Sequence, residues 1–229
     1  MPDDHPMAPL AALAASTGLA PDDPTLLLAL THSSYAAEHH EESNERMEFL
    51  GDAVVGLVVG ERAFRELDLD EGGLAKVRQA TVSEASLAEA SRALGVDAAL
   101  RLGRGEEATG GREKDSVLAD AYEAVVGAVY LTGGLEAARA VVSSTLSTRF
   151  EREAADPGAS DVKSRLQEWA EARGYGAPAY ETVGSGPGHD QRFASTVRVR
   201  GRVLGEGTGT SKKAAELAAA RAAWGELDA

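Results

Sequence analysis

The sequence contains no cysteine, a single asparagine (Asn44), few aromatic residues and too little positive charge to balance its acids. Without cysteine there can be no disulfide framework and no thiolate zinc site, which suits a reducing compartment. No uninterrupted apolar run approaches the roughly 20 residues that span a bilayer. The N-terminal stretch MPDDHPMAPL has neither the basic n-region nor the apolar h-region of a secretory signal. These absences predict a soluble, cytoplasmic protein with no membrane partner. With 23 basic against 37 acidic side chains, the net charge of −14 argues at first sight against a nucleic-acid partner too.

The total conceals an uneven distribution. Residues 1–150 hold 12 basic and 25 acidic side chains, whereas residues 160–229 hold 10 and 9. The stretch between them, 151–159, contains the helix-ending run ADPGA and reads as a linker. A chain of 229 residues has the length for two domains, one on each side of it.

Upstream of the linker, apolar residues recur with helical spacing and strand alternation is hard to find. Helices are expected near 24–31, 44–66, 74–95, 114–132 and 134–153, giving an all-α domain. Downstream, DVKSRLQEWAEARG reads as an amphipathic helix, PAYETVG as a strand, and RFASTVRVRGRVLGEG as two strands about a turn at Arg200-Gly201. SKKAAELAAARAAWGEL then returns to helix behind a Ser211 cap, so the second domain is α+β with the order α-β-β-β-α.

Chemistry enters with NERMEFLGDAVVG, residues 44–56. At helical spacing Glu45, Glu48 and Asp52 lie within about 60° of one another, opposite an apolar stripe of Met47, Leu50, Val54, Leu57 and Val58. Like charges one turn apart repel, so that face calls for a cation. A second pair, Asp120 and Glu123, sits one turn apart in the equally apolar DSVLADAYEAVVGAVYL. If the two helices pack together, Glu48, Asp52, Asp120 and Glu123 converge on an oxygen-rich pocket of the kind that holds hard divalent cations such as Mg²⁺. Two ions about 4 Å apart would suit in-line hydrolysis of a phosphodiester. The alternative is a structural ion pair in which Arg46 or Lys114 neutralises the acids.

The same segments resemble the ribonuclease III family. NERMEFLGDAVVG is similar to the family signature, GGREKDSVLADAYEAVVGAVYLTGG to its second block, and LLLALTHSSYAAEHHEESNERMEFLGD to its lead-in, over roughly residues 20–150. The resemblance implies that Glu48, Asp52, Asp120 and Glu123 are metal ligands, with Asp52 and Glu123 catalytic. Glu45 and Glu71 match acidic positions in a less direct role, and Asn44, a helix N-cap by position, is also allowed a supporting one. Lys114 and Ser116 are candidates to touch a phosphate near the site. Met47, Ala53 and Ser33 depart from the family's usual Leu, Ser and Arg. The resemblance further implies Mg²⁺ with Mn²⁺ as a substitute, no small-molecule cofactor, a homodimer, and cleavage of double-stranded RNA in ribosomal and messenger precursors to leave short 3′ overhangs.

The downstream domain resembles a double-stranded-RNA-binding domain in three places: KSRLQEW, GPGHDQRF and SKKAAELAAA. Reading A-form RNA by shape takes contacts to two minor grooves and to the phosphates between them. Gln167, Glu168 and His189 suit the minor grooves, and Lys212 and Lys213, at a helix N-terminus, suit the phosphates. GSGPG at 184–188 lacks the following helix of a dinucleotide loop, and His32, His39 and His40 form no zinc pattern and read as loop or surface histidines. Two rivals stay open: an RNA-binding protein that does not cleave, and a metal-dependent hydrolase of small phosphorylated molecules.

Overall fold

Two glycines determine how the two longest helices meet. In the computed structural model, which describes residues 7–155, 157, 162–186 and 191–227, helix α4 (Glu45–Glu66) lies against helix α9 (Asp115–Ala155). A β-carbon on Gly51 of α4 would fall 1.8 Å from the Glu123 carbonyl oxygen, and one on Gly127 of α9 would fall 2.5 Å from that of Met47. Glycine in a helix interior costs about 1 kcal/mol relative to alanine. Here it permits backbone-to-backbone contact that no other residue allows.

The remaining helices wrap this crossing. They are α1 (Met7–Thr17), α2 (Pro24–Ala29), α3 (Ser33–His39), α5 (Glu71–Thr81), α6 (Glu84–Leu94), α7 (Val96–Ala99) and α8 (Arg104–Ala108). Their core is Leu, Val and Ala with few aromatics: Leu13, Leu26, Leu30, Val55, Val77, Val125, Val126 and Val129 are fully buried, together with Tyr122, whose hydroxyl bonds Thr145 at 2.7 Å. Burial of this kind contributes about 25 cal/mol per Å² of apolar surface and supplies the drive for folding.

Several boundaries differ from the periodicity. The single helix expected over 74–95 is two, broken at Val82-Ser83, where Ser83 turns extended and its hydroxyl bonds the Ala80 carbonyl and Ser86. The helices expected at 114–132 and 134–153 are joined in α9 across a kink at Gly134, whose φ of 76° only glycine adopts readily. Helix α1 and the short α3, α7 and α8 lie where no helix was expected; they are too short or too uniformly alanine-rich to show a clear stripe. Leu57, assigned to the buried stripe of α4, is 54% exposed. By length and composition α9 could cross a membrane, yet its apolar side chains form the core of this domain and it carries Asp120 and Glu123.

The chain divides into two compact units, Met1–Pro157 and Gly158–Ala229, and α9 runs to Ala155, into the stretch whose composition marks a linker. In the second unit α10 (Val162–Ala172) precedes β1 (Ala179–Ser185), β2 (Arg192–Val199) and β3 (Arg202–Gly209), and α11 (Lys212–Leu227) follows. The sheet is antiparallel in the order β1-β2-β3. Arg200 and Gly201, with φ of 51° and 78°, make the two-residue hairpin that matches strand twist. Gly205, Gly207 and Gly209 alternate toward α11, where β-carbons would strike Ala214, Ala218 and Ala219. Helix α11 therefore packs directly on the backbone of β3.

Gly51→Ala tests the crossing. The alanine raises helix propensity, but the clash with the Glu123 carbonyl forces α4 and α9 apart, so we expect a net loss of about 2 kcal/mol. Denaturant unfolding of the metal-free protein measures it, and a stability equal to or above wild type would refute the close contact.

Candidate metal centre

Because α4 and α9 touch at Gly51, the side chains one turn to either side of the contact are brought together. Glu48 precedes Gly51 by three positions on α4, and Asp120 and Glu123 lie on the facing turn of α9. One carboxylate oxygen from each of Glu48, Asp120 and Glu123 falls within 4.8 Å of the other two, and all three side chains are half-buried. Asp52 stands outside this triangle. It is exposed, at the edge of a cleft of about 530 Å³ between α4 and α5 lined also by Gly56, Leu57 and Arg78.

The electrostatics follow from this packing. Burial, then the charges of Asp52, Asp120 and Glu48, push the Glu123 carboxyl up to about 8. Burial also raises Glu48, reinforced by Asp120, Glu45 and Asp52, and it raises Asp120, where the nearby His32 acts in the opposite sense. Asp52 is therefore part of the same field although not of the same triangle. Three carboxylates compressed at the crossing fit a hard divalent cation, which supplies the opposite charge and takes oxygen ligands.

The other expected residues are dispersed. Glu45 is exposed and accepts a hydrogen bond from the Ser43 hydroxyl at 2.6 Å. Asn44 occupies the N-cap position of α4 but does not cap it: its buried amide donates to the Ala29 carbonyl at 3.1 Å, tying the start of α4 to the end of α2. Glu71 opens α5 and lines another cleft with Gly60, Phe64 and Arg78, apart from the triangle. Lys114 pairs with Glu106 at 2.6 Å, so it does not neutralise the cluster, and Ser116 is exposed on the first turn of α9.

In the second unit Lys212 and Lys213 are exposed at the start of α11, behind a Ser211 hydroxyl that accepts from the Ala214 amide at 3.1 Å. Gln167 and Glu168 are exposed on α10, with the Gln167 amide donating to Glu171 at 2.8 Å. His189 lies outside the described residues.

Two features escaped the sequence reading. His32, which reads from sequence as a loop or surface histidine, caps α3 through its Nδ1, which accepts from the Ser34 amide at 3.2 Å, and it lies near enough to Asp120 and Glu106 to act on both carboxyls. Gly51 and Gly127 are the second, since glycine three or four residues from a carboxylate inside an apolar helix is a signal of close packing.

Comparison with known proteins places this arrangement in a family. Residues 22–150 match the family model described as Ribonuclease-III-like, and residues 162–227 match the double-stranded RNA binding motif. Ribonuclease 3 of Thermobifida fusca (strain YX) is 49% identical over 208 residues, covering 90% of this chain and 86% of that protein. Ribonuclease 3 of Nocardia farcinica (strain IFM 10152) is 45% identical over 232 residues, covering 99% and 95%. A solved nuclease domain of ribonuclease III from Campylobacter jejuni matches with a TM-score of 0.57 and 38% identity, covering 62% of this chain and 99% of that one. The chain belongs to the ribonuclease III family, with a double-stranded RNA binding motif after its nuclease domain. Membership implies a divalent-metal cofactor, and the carboxylate triangle is where this chain can hold it.

The raised Glu123 carboxyl sets a pH signature. Its folded value, about 8, exceeds that of an unfolded glutamate, so the folded metal-free protein binds the extra proton. The stabilisation is complete below about pH 4.5 and is lost as pH rises toward 8. Added divalent metal displaces the proton and reverses the loss. Calorimetry of metal binding near pH 7 in buffers of different ionisation enthalpy should show proton release; binding enthalpies independent of buffer would contradict it.

Proposed function

We propose that this chain is a double-strand-specific endoribonuclease that uses Mg²⁺, with Mn²⁺ able to replace it. The observation that carries the reading is the triangle of Glu48, Asp120 and Glu123, on a chain that also carries a double-stranded RNA binding motif. Those three carboxylates would hold the metal, which supplies Lewis-acid polarisation of the scissile phosphate and an acidified water. Asp52, exposed at the cleft beside the triangle, accepts the proton of the attacking water and keeps that water in line with the phosphorus. Glu123, whose carboxyl burial and neighbouring acids push up to about 8, is the ligand most tied to catalysis. Glu45 shapes the field through its effect on Glu48. Asn44 supports the site by anchoring the first turn of α4. Water is the nucleophile: its oxygen bonds to phosphorus as the bond to the leaving ribose oxygen breaks, that oxygen takes a proton from solvent, and no covalent enzyme intermediate forms.

Residues 1–150 act as the nuclease domain and residues 160–229 as the RNA-binding domain, joined by 151–159. Gln167, Glu168 and His189 read the minor grooves, and Lys212 and Lys213 the phosphates, so that selection rests on duplex shape. The enzyme acts as a homodimer: Phe49, Leu57 and Phe64 on α4 are 81%, 54% and 76% exposed beside clefts floored by Gly56 and Gly60. Side chains of this size exposed along one helix mark an interface. Glu71 lines the cleft beside Gly60 and Phe64, where it would serve the cleavage site in a less direct role. The setting is cytoplasmic processing of ribosomal and messenger precursors, with products bearing short 3′ overhangs.

The decisive experiment is cleavage of a long RNA duplex in millimolar Mg²⁺ by wild type and Glu123→Ala. We expect the wild type to cut and the variant to bind the duplex while losing about a hundred- to a thousandfold in cleavage, the scale of removing preorganised transition-state stabilisation. Duplex binding without cleavage by the wild type would leave an RNA-binding protein and refute the nuclease. Sedimentation of Phe64→Asp beside wild type tests the dimer; a wild-type chain that is monomeric at micromolar concentration would overturn it.

A further inference from the structure

The strand directions put the two ends of the RNA-binding unit in different chemical surroundings. At one end β1 finishes, β2 begins and β3 leads into α11, which places Lys212 and Lys213 there. At the other end are the start of β1, the turn between β2 and β3, and a cluster of arginines. Cross-strand pairing sets Arg198 beside Ala179 and Val203, and Arg200 and Arg202 occupy the turn and the first residue of β3. Arg173, just past the end of α10, joins them through stacked rings. Its guanidinium lies 4.7 Å from the Trp169 ring centroid, Trp169 meets Tyr175 edge-on at 5.7 Å, and the Arg200 guanidinium lies 5.2 Å from Tyr175.

These arginines are exposed except for half-buried Arg198, whose carboxylate partner is Glu181 at 3.5 Å. No carboxylate among the described residues pairs with Arg173, Arg200 or Arg202. Ring stacking holds two of the guanidiniums in place, and the left-handed Arg200 backbone, with φ of 51°, projects its side chain from a tight turn. Fixed guanidinium forks suit phosphate oxygens, and restricting them before binding lowers the ordering cost.

We propose that this arginine-tipped end is a second phosphate-binding surface, which takes a second segment of duplex RNA while the Lys212 and Lys213 end holds the first. The proposal rests on the reading of this unit as an RNA-binding domain. An acidic protein is the competing partner; RNA is favoured because the opposite end of the same unit already concentrates phosphodiesters nearby. Each chain then carries two contacts on opposed ends of a small domain, and one structured precursor can be gripped on two of its helical arms.

The test uses the full-length protein in EDTA, so that RNA is bound and not cut, with duplexes of about 16 base pairs, the span of one such domain. Sedimentation counts duplexes per chain for the wild type, for Arg200→Asn with Arg202→Gln, and for Lys212→Ala with Lys213→Ala. Asparagine tolerates the left-handed backbone at position 200. We expect the arginine variant to bind one duplex fewer per chain, keeping first-duplex affinity within about twofold and its salt dependence unchanged. The lysine variant should weaken the first duplex at least tenfold. Arg200→Lys with Arg202→Lys should retain the second duplex, since the charge is kept. Equal stoichiometry for wild type and arginine variant would overturn this proposal alone. A wild type that binds no duplex would overturn the RNA-binding reading, and this proposal with it.

Discussion

Everything distinctive about the first unit depends on the contact between α4 and α9 at Gly51 and Gly127. Backbones that close bring the side chains flanking the contact closer still, and the flanking side chains here are acids. The arrangement is unfavourable on its own terms: burial and mutual repulsion both oppose ionisation of Glu48 and Glu123. It persists because the crossing is embedded in a core of Val, Leu and Ala whose burial outweighs this electrostatic strain. The hydrophobic core and the metal centre are therefore opposite sides of one helix pair, and neither helix can shift without disturbing both.

Functional capacity follows from that strain. A cluster that is comfortable without a cation has little affinity for one, whereas carboxylates already desolvated and held together gain most when a divalent charge arrives. Pairing with arginine or lysine would relieve the repulsion at the cost of the metal. Two basic residues around the start of α9 are engaged elsewhere: Lys114 is committed to Glu106, and Arg92 to Asp115. These ion pairs hold cationic side chains away from the triangle while fixing the segment that leads into α9.

Much of this was legible from residue spacing. The carboxylates at 48, 120 and 123, the hairpin at Arg200-Gly201 and the α-β-β-β-α order all follow from periodicity and turn chemistry, because those signals are local. What was not legible depends on partners distant in sequence. Asn44 looks like a cap by composition, but its amide is used by Ala29, fifteen residues back. Leu57 fits an apolar stripe, yet α9 covers only one side of α4 and leaves it exposed. The helix over 74–95 read as continuous because Thr81 and Val82 keep the apolar period, and only the Ser83 bonds to Ala80 and Ser86 reveal the break. Periodicity reports which residues are apolar; it does not report which faces find a partner.

The division of charge between the units completes the physical picture. An acidic nuclease domain repels RNA at long range, so approach is governed by the few cations that can neutralise phosphate locally. Exposed cations of this kind stand in the second unit at the start of α11 and around the β2–β3 turn, while in the first unit the acids form the triangle that can hold a divalent metal. Repulsion away from these points disfavours any polyanion that does not present phosphates in the right places. A chain with a net charge of −14 can thus discriminate by shape, since it gains little from indiscriminate attraction.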